Sequence, residues 1–374
     1  MEKILNHNID KYKQGLLQSI IEVVNIPSVK GEAKEDAPFG ENPKKALSKT
    51  LDIAKDLGFK TKNIDNYIGY AEYGEGEDYI GVLGHLDVVD VGEGWKSPPF
   101  NAEIRNEKIY GRGVLDNKGP IMSALFALYA IKQSNLNINK KIRIIFGTDE
   151  ESGFSDIPYY LKYEKPPIMG FTPDCKYPVV YGERGRANIL FTIKYSDENY
   201  EEKTKEFFNF INEYILSSKG NGERLGIDYS DEEFGTMEMK NFKAGIKGSH
   251  LTFHMSLSYP ATVNIDRILE KIKLKLTENI KLILLLNYNP VKFKKESFLV
   301  KSLQKAYEDI TGLDGTPVTT TGGTYAKVMP NIVPFGPSFP GQKGIAHNPN
   351  EYMDIEDIVL NAKIFANAIY NLAK

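Results

Sequence analysis

Five short segments carry residue types that can hold metal ions. They are Gly84-His85-Leu86-Asp87, Leu115-Asp116-Asn117, Thr148-Asp149-Glu150-Glu151-Ser152-Gly153, Thr172-Pro173-Asp174 and Ala346-His347-Asn348. A lone histidine or carboxylate is more often a structural group, so the set and its order carry the weight. Hard or borderline dications with an open coordination position need nitrogen and oxygen donors, and two ions about 3.5 to 4 Å apart need a carboxylate able to bridge them. Asp116 is the expected bridge. A hydroxide bridging the metals is nucleophilic near neutral pH, because metal charge lowers the pKa of bound water towards about 7. Adjacent glutamates in a turn point in different directions, so Glu151 is expected to ligate. Glu150 is the expected general base, taking the water proton and passing it to the leaving amine. Asp87, two residues after His85, shares its side of an extended segment and is expected to orient the imidazole.

The elements that must position these groups are visible as patterns. Residues 78–84, 141–147 and 167–171 are short apolar runs bounded by Gly and Pro, and read as buried strands of a covered sheet. His85 and Asp87, Glu150 and Glu151, and Asp174 follow them, at the strand carboxyl ends where open α/β sheets bind ligands. Asp116 precedes a helical pattern from Lys118 to Ser134, with Ile121, Leu125, Leu128 and Ile131 on one face. The donors are therefore expected to converge on one sheet edge.

The runs Gly84-His85-Leu86-Asp87-Val88-Val89, Gly111-Arg112-Gly113-Val114-Leu115-Asp116-Asn117-Lys118-Gly119, Thr148 to Gly153 and Phe335-Gly336-Pro337-Ser338-Phe339-Pro340-Gly341 resemble the zinc exopeptidases of the aminoacylase, carboxypeptidase G and desuccinylase family, in particular their dipeptidase branch. The resemblance implies an α/β fold: a mixed sheet sandwiched by helices, with an inserted ferredoxin-like α+β lid domain. It implies two zinc ions per chain, with manganese or cobalt as alternatives. One would be held by His85, Asp116 and Asp174, the other by Asp116, Glu151 and His347. It implies a cis peptide between Asp116 and Asn117 as well.

From about residue 187 the pattern changes. Strands at 187–195, 235–244, 250–259 and 280–286 alternate with helices at 200–217 and 263–277, the βαββαβ order of a ferredoxin-like unit. The expected boundaries are 1–185 and 290–374 for the catalytic domain and 186–289 for a lid over the metals. This lid departs from the resembled family. Tyr195 runs through Ser196-Asp197-Glu198-Asn199 straight into a helix, so the family's oxyanion-supporting histidine has no place there. Ser258 stands where the dipeptidase branch has a carboxylate-gripping arginine, and the loop from Thr321 through Gly323 has Lys327 where arginine is usual. Losing an oxyanion donor costs roughly 2.7 to 4 kcal/mol of transition-state stabilisation. His254, which alternation places on the polar face of its strand, is the candidate replacement, with a solvated histidine as the competing reading. Arg184 is a candidate for steering a substrate carboxylate, with a hinge charge as the competing reading. Gly323 and Lys327 complete the substrate-side candidates.

Bulk properties narrow the function classes. At 374 residues the chain is long enough for two cored domains. A net charge of −3 with both signs interspersed points to neither nucleic acid nor an anionic membrane. Residues 1–8 begin an amphipathic segment without a signal core, and Cys175 is the only cysteine, so the expected location is cytoplasmic. The expected function is hydrolysis of the amide bond of dipeptides or N-acyl amino acids by a monomer or a lid-mediated homodimer. The alternative is a metal-binding but catalytically impaired relative serving as a small-ligand binding or regulatory protein. Glu150 favours the enzyme, since a protein that only binds has no need of a base beside its metal ligand.

Overall fold

The computed structural model describes residues 1–342 and 344–374. In chain order the strands that carry the architecture are β1 (Lys60–Ile64), β2 (Ile68–Tyr73), β3 (Tyr79–His85), β4 (Lys141–Gly147), β5 (Met169–Thr172), β6 (Gly185–Lys194), β7 (Glu238–Lys247), β8 (His250–Tyr259), β9 (Ile280–Tyr288) and β10 (Ile332–Pro334). The helices are α1 (Glu2–Val24), α2 (Glu41–Asp56), α3 (Lys118–Ser134), α4 (Asp156–Tyr163), α5 (Tyr200–Ile211), α6 (Ile265–Lys273), α7 (Phe298–Thr311) and α8 (Ile355–Ala373). Two compact units result. The first comprises Met1–Tyr181, Phe293–Val318 and Thr324–Lys374, the second Gly182–Lys292 and Thr319–Gly323. Among the described residues, no helix is long and apolar enough to cross a membrane.

The first unit is built on a six-stranded mixed sheet of order β1-β2-β4-β3-β5-β10. β1, β2 and β4 pair antiparallel, while β4, β3, β5 and β10 run parallel to their neighbours. Parallel pairing is decisive for the site, because the carboxyl ends of β3, β4 and β5 then lie at one edge. Ile80 and Val82 of β3 join the apolar cluster of α1, α3 and α8 on one face. Tyr79, on the other face, meets the Tyr160 hydroxyl of α4 at 2.9 Å. Helices therefore cover both faces, as a sheet of continuous apolar strands requires.

α3 differs from its expected amphipathic stripe. Besides Ile121, Leu125, Leu128 and Ile131, it buries Met122, Ala124, Phe126, Ala127 and Ala130. It contacts α1, α8 and β3, so it has almost no solvent face. Each fully buried Leu or Ile there contributes roughly 1.5 to 3 kcal/mol. The left-handed Asn135, at φ 53°, ends it.

The second unit is a four-stranded antiparallel sheet of order β7-β8-β6-β9, with α5 and α6 supplying the βαββαβ order. Ile189, Phe191, Phe207, Phe210, Leu251, Phe253, Met255, Leu257, Ile268 and Ile272 form its core. β7 starts three residues later than its pattern implied, because Gly235–Thr236 pairs instead with Ser230–Asp231 in a small hairpin. α5 gives way at Asn212 to a π turn through Leu216. α6 starts at Ile265 because the Asn264 side chain accepts the Arg267 amide as an N-cap.

Candidate metal centre

All five expected ligands and both expected catalytic carboxylates lie in the first unit and meet. His85 ends β3, and its Nε2 stands 3.0 Å from Asp116 Oδ1 and 3.7 Å from Asp174 Oδ2. His347 Nε2 stands 3.0 Å from Asp116 Oδ2 and 3.0 Å from Glu151 Oε1. Each oxygen of Asp116 therefore faces a different imidazole. Two groups of donor atoms lie within 4.8 Å of one another: His85, Asp116 and Glu151, and His85, Glu150 and Asp174. Glu150 therefore stands with the ligand candidates, its donor oxygen within 4.8 Å of those of His85 and Asp174.

The backbone that presents these groups is tied down. Asp116–Asn117 is a cis peptide, as the resemblance implied. The Asn117 side chain accepts the His85 amide at 3.3 Å and donates to the Pro173 carbonyl at 2.6 Å, linking three ligand-bearing segments. Gly84 is required beside it, since a Cβ there would stand 2.3 Å from Asn117 Oδ1.

Asp87 sits differently from its expectation. His85 Nδ1 meets the main-chain carbonyl of Asp87 at 2.8 Å, whereas the Asp87 carboxylate is 3.5 Å away. The carboxylate instead accepts the amides of Glu150 at 3.2 Å and Glu151 at 3.1 Å. The imidazole is still oriented by residue 87, but through its backbone. The side chain holds the glutamate turn, because β3 has ended at His85 and strand alternation no longer sets its direction.

Asp156 repeats this device. Its Oδ2 accepts the amides of Thr148 at 2.8 Å and Asp149 at 3.2 Å and the Tyr325 hydroxyl at 2.5 Å. Four successive amides, 148 to 151, thus donate in pairs to two buried carboxylates. Asp149 in turn takes Lys30 at 2.8 Å, the Ser155 amide and hydroxyl, and the Ser152 hydroxyl.

Electrostatics match a cation site. Burial works against the charge on Asp116, but hydrogen bonds from His347 and His85 hold its carboxyl below the usual range. Burial, then the Asp116 charge, push Asp174 well above that range. Burial, opposed by His85 but reinforced by Glu151 and Asp116, raises Glu150 likewise. Hydrogen bonds to Asp116 and Glu151 push His347 up to about 10. Negative charge gathered in a part-buried site is costly unless positive charge joins it, and the nitrogen and oxygen donors present suit a pair of dications.

Of the substrate-side candidates, Arg184, His254 and Gly323 belong to the second unit. The Arg184 guanidinium is buried in the second unit, donating to Glu238 Oε1 at 3.1 Å, the Thr236 carbonyl at 2.6 Å and the Ser258 carbonyl at 2.5 Å. These three acceptors tie it into the second unit. His254 is half-buried on the polar face of β8, opposite the core residues Phe253 and Met255. Gly323 belongs to the second unit and Lys327 to a short 3-10 turn of the first. Arg112, Glu351, Asp156 and Tyr325 were absent from the sequence-based set. Arg112 lies within the Gly111–Gly119 run quoted above and Glu351 follows His347 by four residues, whereas nothing local marks Asp156 or Tyr325.

The chain is 32% identical to "Putative dipeptidase YtjP" of Bacillus subtilis (strain 168), across 97% of this chain and 98% of that protein. It is 28% identical to the "Beta-Ala-Xaa dipeptidase" of Lactobacillus delbrueckii subsp. lactis, across 97% of each. The first alignment spans 453 positions against a chain of 374 residues, so that relative has segments this chain lacks. Human carnosine dipeptidase 1 shares the fold, with a TM-score of 0.70 at 14% identity over 99% of this chain and 98% of that one. The sequence model of peptidase family M20/M25/M40 matches residues 81–371, a span that contains His85, Asp116, Glu150, Glu151, Asp174 and His347, and the chain belongs to that family.

Proposed function

We propose that this chain is a metal-dependent dipeptidase that hydrolyses the amide bond of a dipeptide. The observation that carries this reading is Asp116, with one carboxylate oxygen 3.0 Å from His85 and the other 3.0 Å from His347. His85, Asp116 and Asp174 would hold one ion, and Asp116, Glu151 and His347 the other. The mixed nitrogen and oxygen donors suit zinc, with manganese and cobalt as the nearest alternatives. Bound there, the ions supply Lewis-acid polarisation of the scissile carbonyl and bring the pKa of water towards about 7.

The residues of the chain do the rest. Glu150, held by its amide on Asp87, accepts the proton of the attacking water at a carboxylate oxygen. It then delivers that proton to the amide nitrogen as the C–N bond breaks, so the amine leaves neutral. His85 keeps Nε2 towards the cluster because Nδ1 is engaged with the Asp87 carbonyl. Both relatives compared by sequence are named dipeptidases, which supports dipeptides as the substrate class. A cytoplasmic location fits the single cysteine, which forms no internal disulfide.

The test is hydrolysis of a dipeptide panel, including β-alanyl dipeptides, by protein supplied with zinc or manganese, beside Glu150→Gln. Turnover by the wild type and a loss of about 10²- to 10⁴-fold in kcat in the variant, with metal retained, are expected. Equal rates in the two proteins would remove Glu150 from the mechanism.

A further inference from the structure

We infer that Glu351, paired with Arg112, is the positioning residue that fixes the Asp116 loop and the His347 loop before any cation arrives. The inference rests on the metal-site reading above and extends it to two residues outside the donor set.

Glu351 is fully buried and Arg112 is 1% exposed. One oxygen of Glu351 accepts three main-chain amides, those of Gly113 at 3.1 Å, Leu115 at 2.9 Å and Asp116 at 3.1 Å. Its other oxygen takes Arg112 Nη1 at 2.8 Å. The Glu351 carbonyl accepts the Gly111 amide at 3.0 Å. The loop that ends in Asp116 is thus wrapped around one carboxylate, and without it three amides would be left as buried donors with no acceptor.

Arg112 extends the arrangement to two further segments. Its Nη2 donates to the carbonyls of Asp90 at 3.3 Å and Val91 at 3.2 Å, and its Nη1 reaches the Asn348 carbonyl at 3.4 Å. The guanidinium stands 5.3 Å from the ring centre of Trp95, whose indole N–H donates to the Val91 carbonyl at 2.7 Å. Asn350 completes the weave, accepting the Lys96 amide at 2.8 Å and donating to the Gly94 carbonyl at 3.1 Å. Segments 90–96, 111–116 and 348–351 are therefore held together by one buried ion pair and its neighbours. The first follows His85 and Asp87, the second carries Asp116, and the third follows His347 directly.

A buried ion pair is weak support for stability by itself, because desolvation offsets much of its attraction. What it sets well is geometry, since a planar guanidinium and a carboxylate meet in few arrangements. Here the geometry it sets is the placing of a bridging carboxylate and the loop of a terminal ligand. Groups that orient metal ligands from outside typically govern metal affinity by about 10- to 100-fold.

Glu351→Gln keeps an oxygen for the amides but removes the charge facing Arg112. Calorimetric titration of the metal-free variant with zinc should give an affinity about 10- to 100-fold below wild type, with activity returning as zinc is raised. A folded variant with wild-type zinc affinity and stoichiometry would overturn the inference. Should the variant not fold, amide hydrogen exchange on the metal-free wild type decides. Protection of the Gly113, Leu115 and Asp116 amides without metal supports the inference, whereas protection only after zinc is added overturns it. A wild type that takes up no zinc would sink the metal reading separately, leaving the exchange result to decide this one.

Discussion

The two sides of Asp116 are built by different means. On the Oδ1 side, His85 is fully buried at the end of a strand hydrogen-bonded on both flanks, with its second nitrogen on the Asp87 carbonyl. On the Oδ2 side, the His347 side chain is 51% exposed and comes from a loop residue with left-handed φ of 64°. One half is part of the sheet edge, the other is completed by a loop. A donor set fixed by the sheet gives up little conformational freedom when it binds, while the half-exposed His347 side chain must lose rotamer freedom even where its loop is already held by the Arg112–Glu351 pair. The position at His85 and Asp174 should therefore bind its ion more tightly than the position at Glu151 and His347.

The largest test of that difference is His85→Ala. It leaves the part-buried Asp116 and Asp174 carboxylates without the buried imidazole between them, so both ions should be lost and the metal-free protein destabilised by more than His347→Ala destabilises it in chemical denaturation. His347→Ala should be milder, with one equivalent of metal retained and a stability change within about 1 kcal/mol, because the removed contacts are half exposed. Equal metal loss in the two variants would break the comparison. The smallest effect is in pH. In metal-free protein His347 is raised from 6.5 to about 10 by Asp116 and Glu151. Its stabilising contribution is therefore complete below about 6.5 and is lost as pH rises through about 10. Melting in chelator between pH 6 and 10 should show a falling limb that His347→Ala flattens, and superimposable limbs would contradict the assigned contacts.

Legibility in the sequence followed the same division. β4 and α3 begin and end where their patterns placed them, and β3 is shifted by one residue, because apolar runs between Gly and Pro leave few registers. The donor candidates stood out because few side chains can hold a dication; His85, Glu151 and Asp174 follow strand patterns and Asp116 precedes a helix pattern, whereas His347 had no such neighbour. Glu351 and Asp156 were not legible, since most of their partners are main-chain amides, which leave no mark on residue type. The same holds for the Asp87 carboxylate, whose direction is set by the glutamate turn rather than by alternation. α3 looked amphipathic because its second face is lined with alanines, whose small size hides burial. Arg184 was left between substrate steering and a hinge charge because nothing local announces the Thr236 and Ser258 carbonyls that receive it.

The central claim is that Asp116 is shared by two cations. Crystals grown with zinc and measured at its absorption edge test it most directly. The account predicts two anomalous peaks about 3.5 to 4 Å apart, one against each oxygen of Asp116, with His85 and Asp174 on the first and Glu151 and His347 on the second. A single peak at full zinc loading, or two peaks that leave Asp116 uncoordinated, would contradict it.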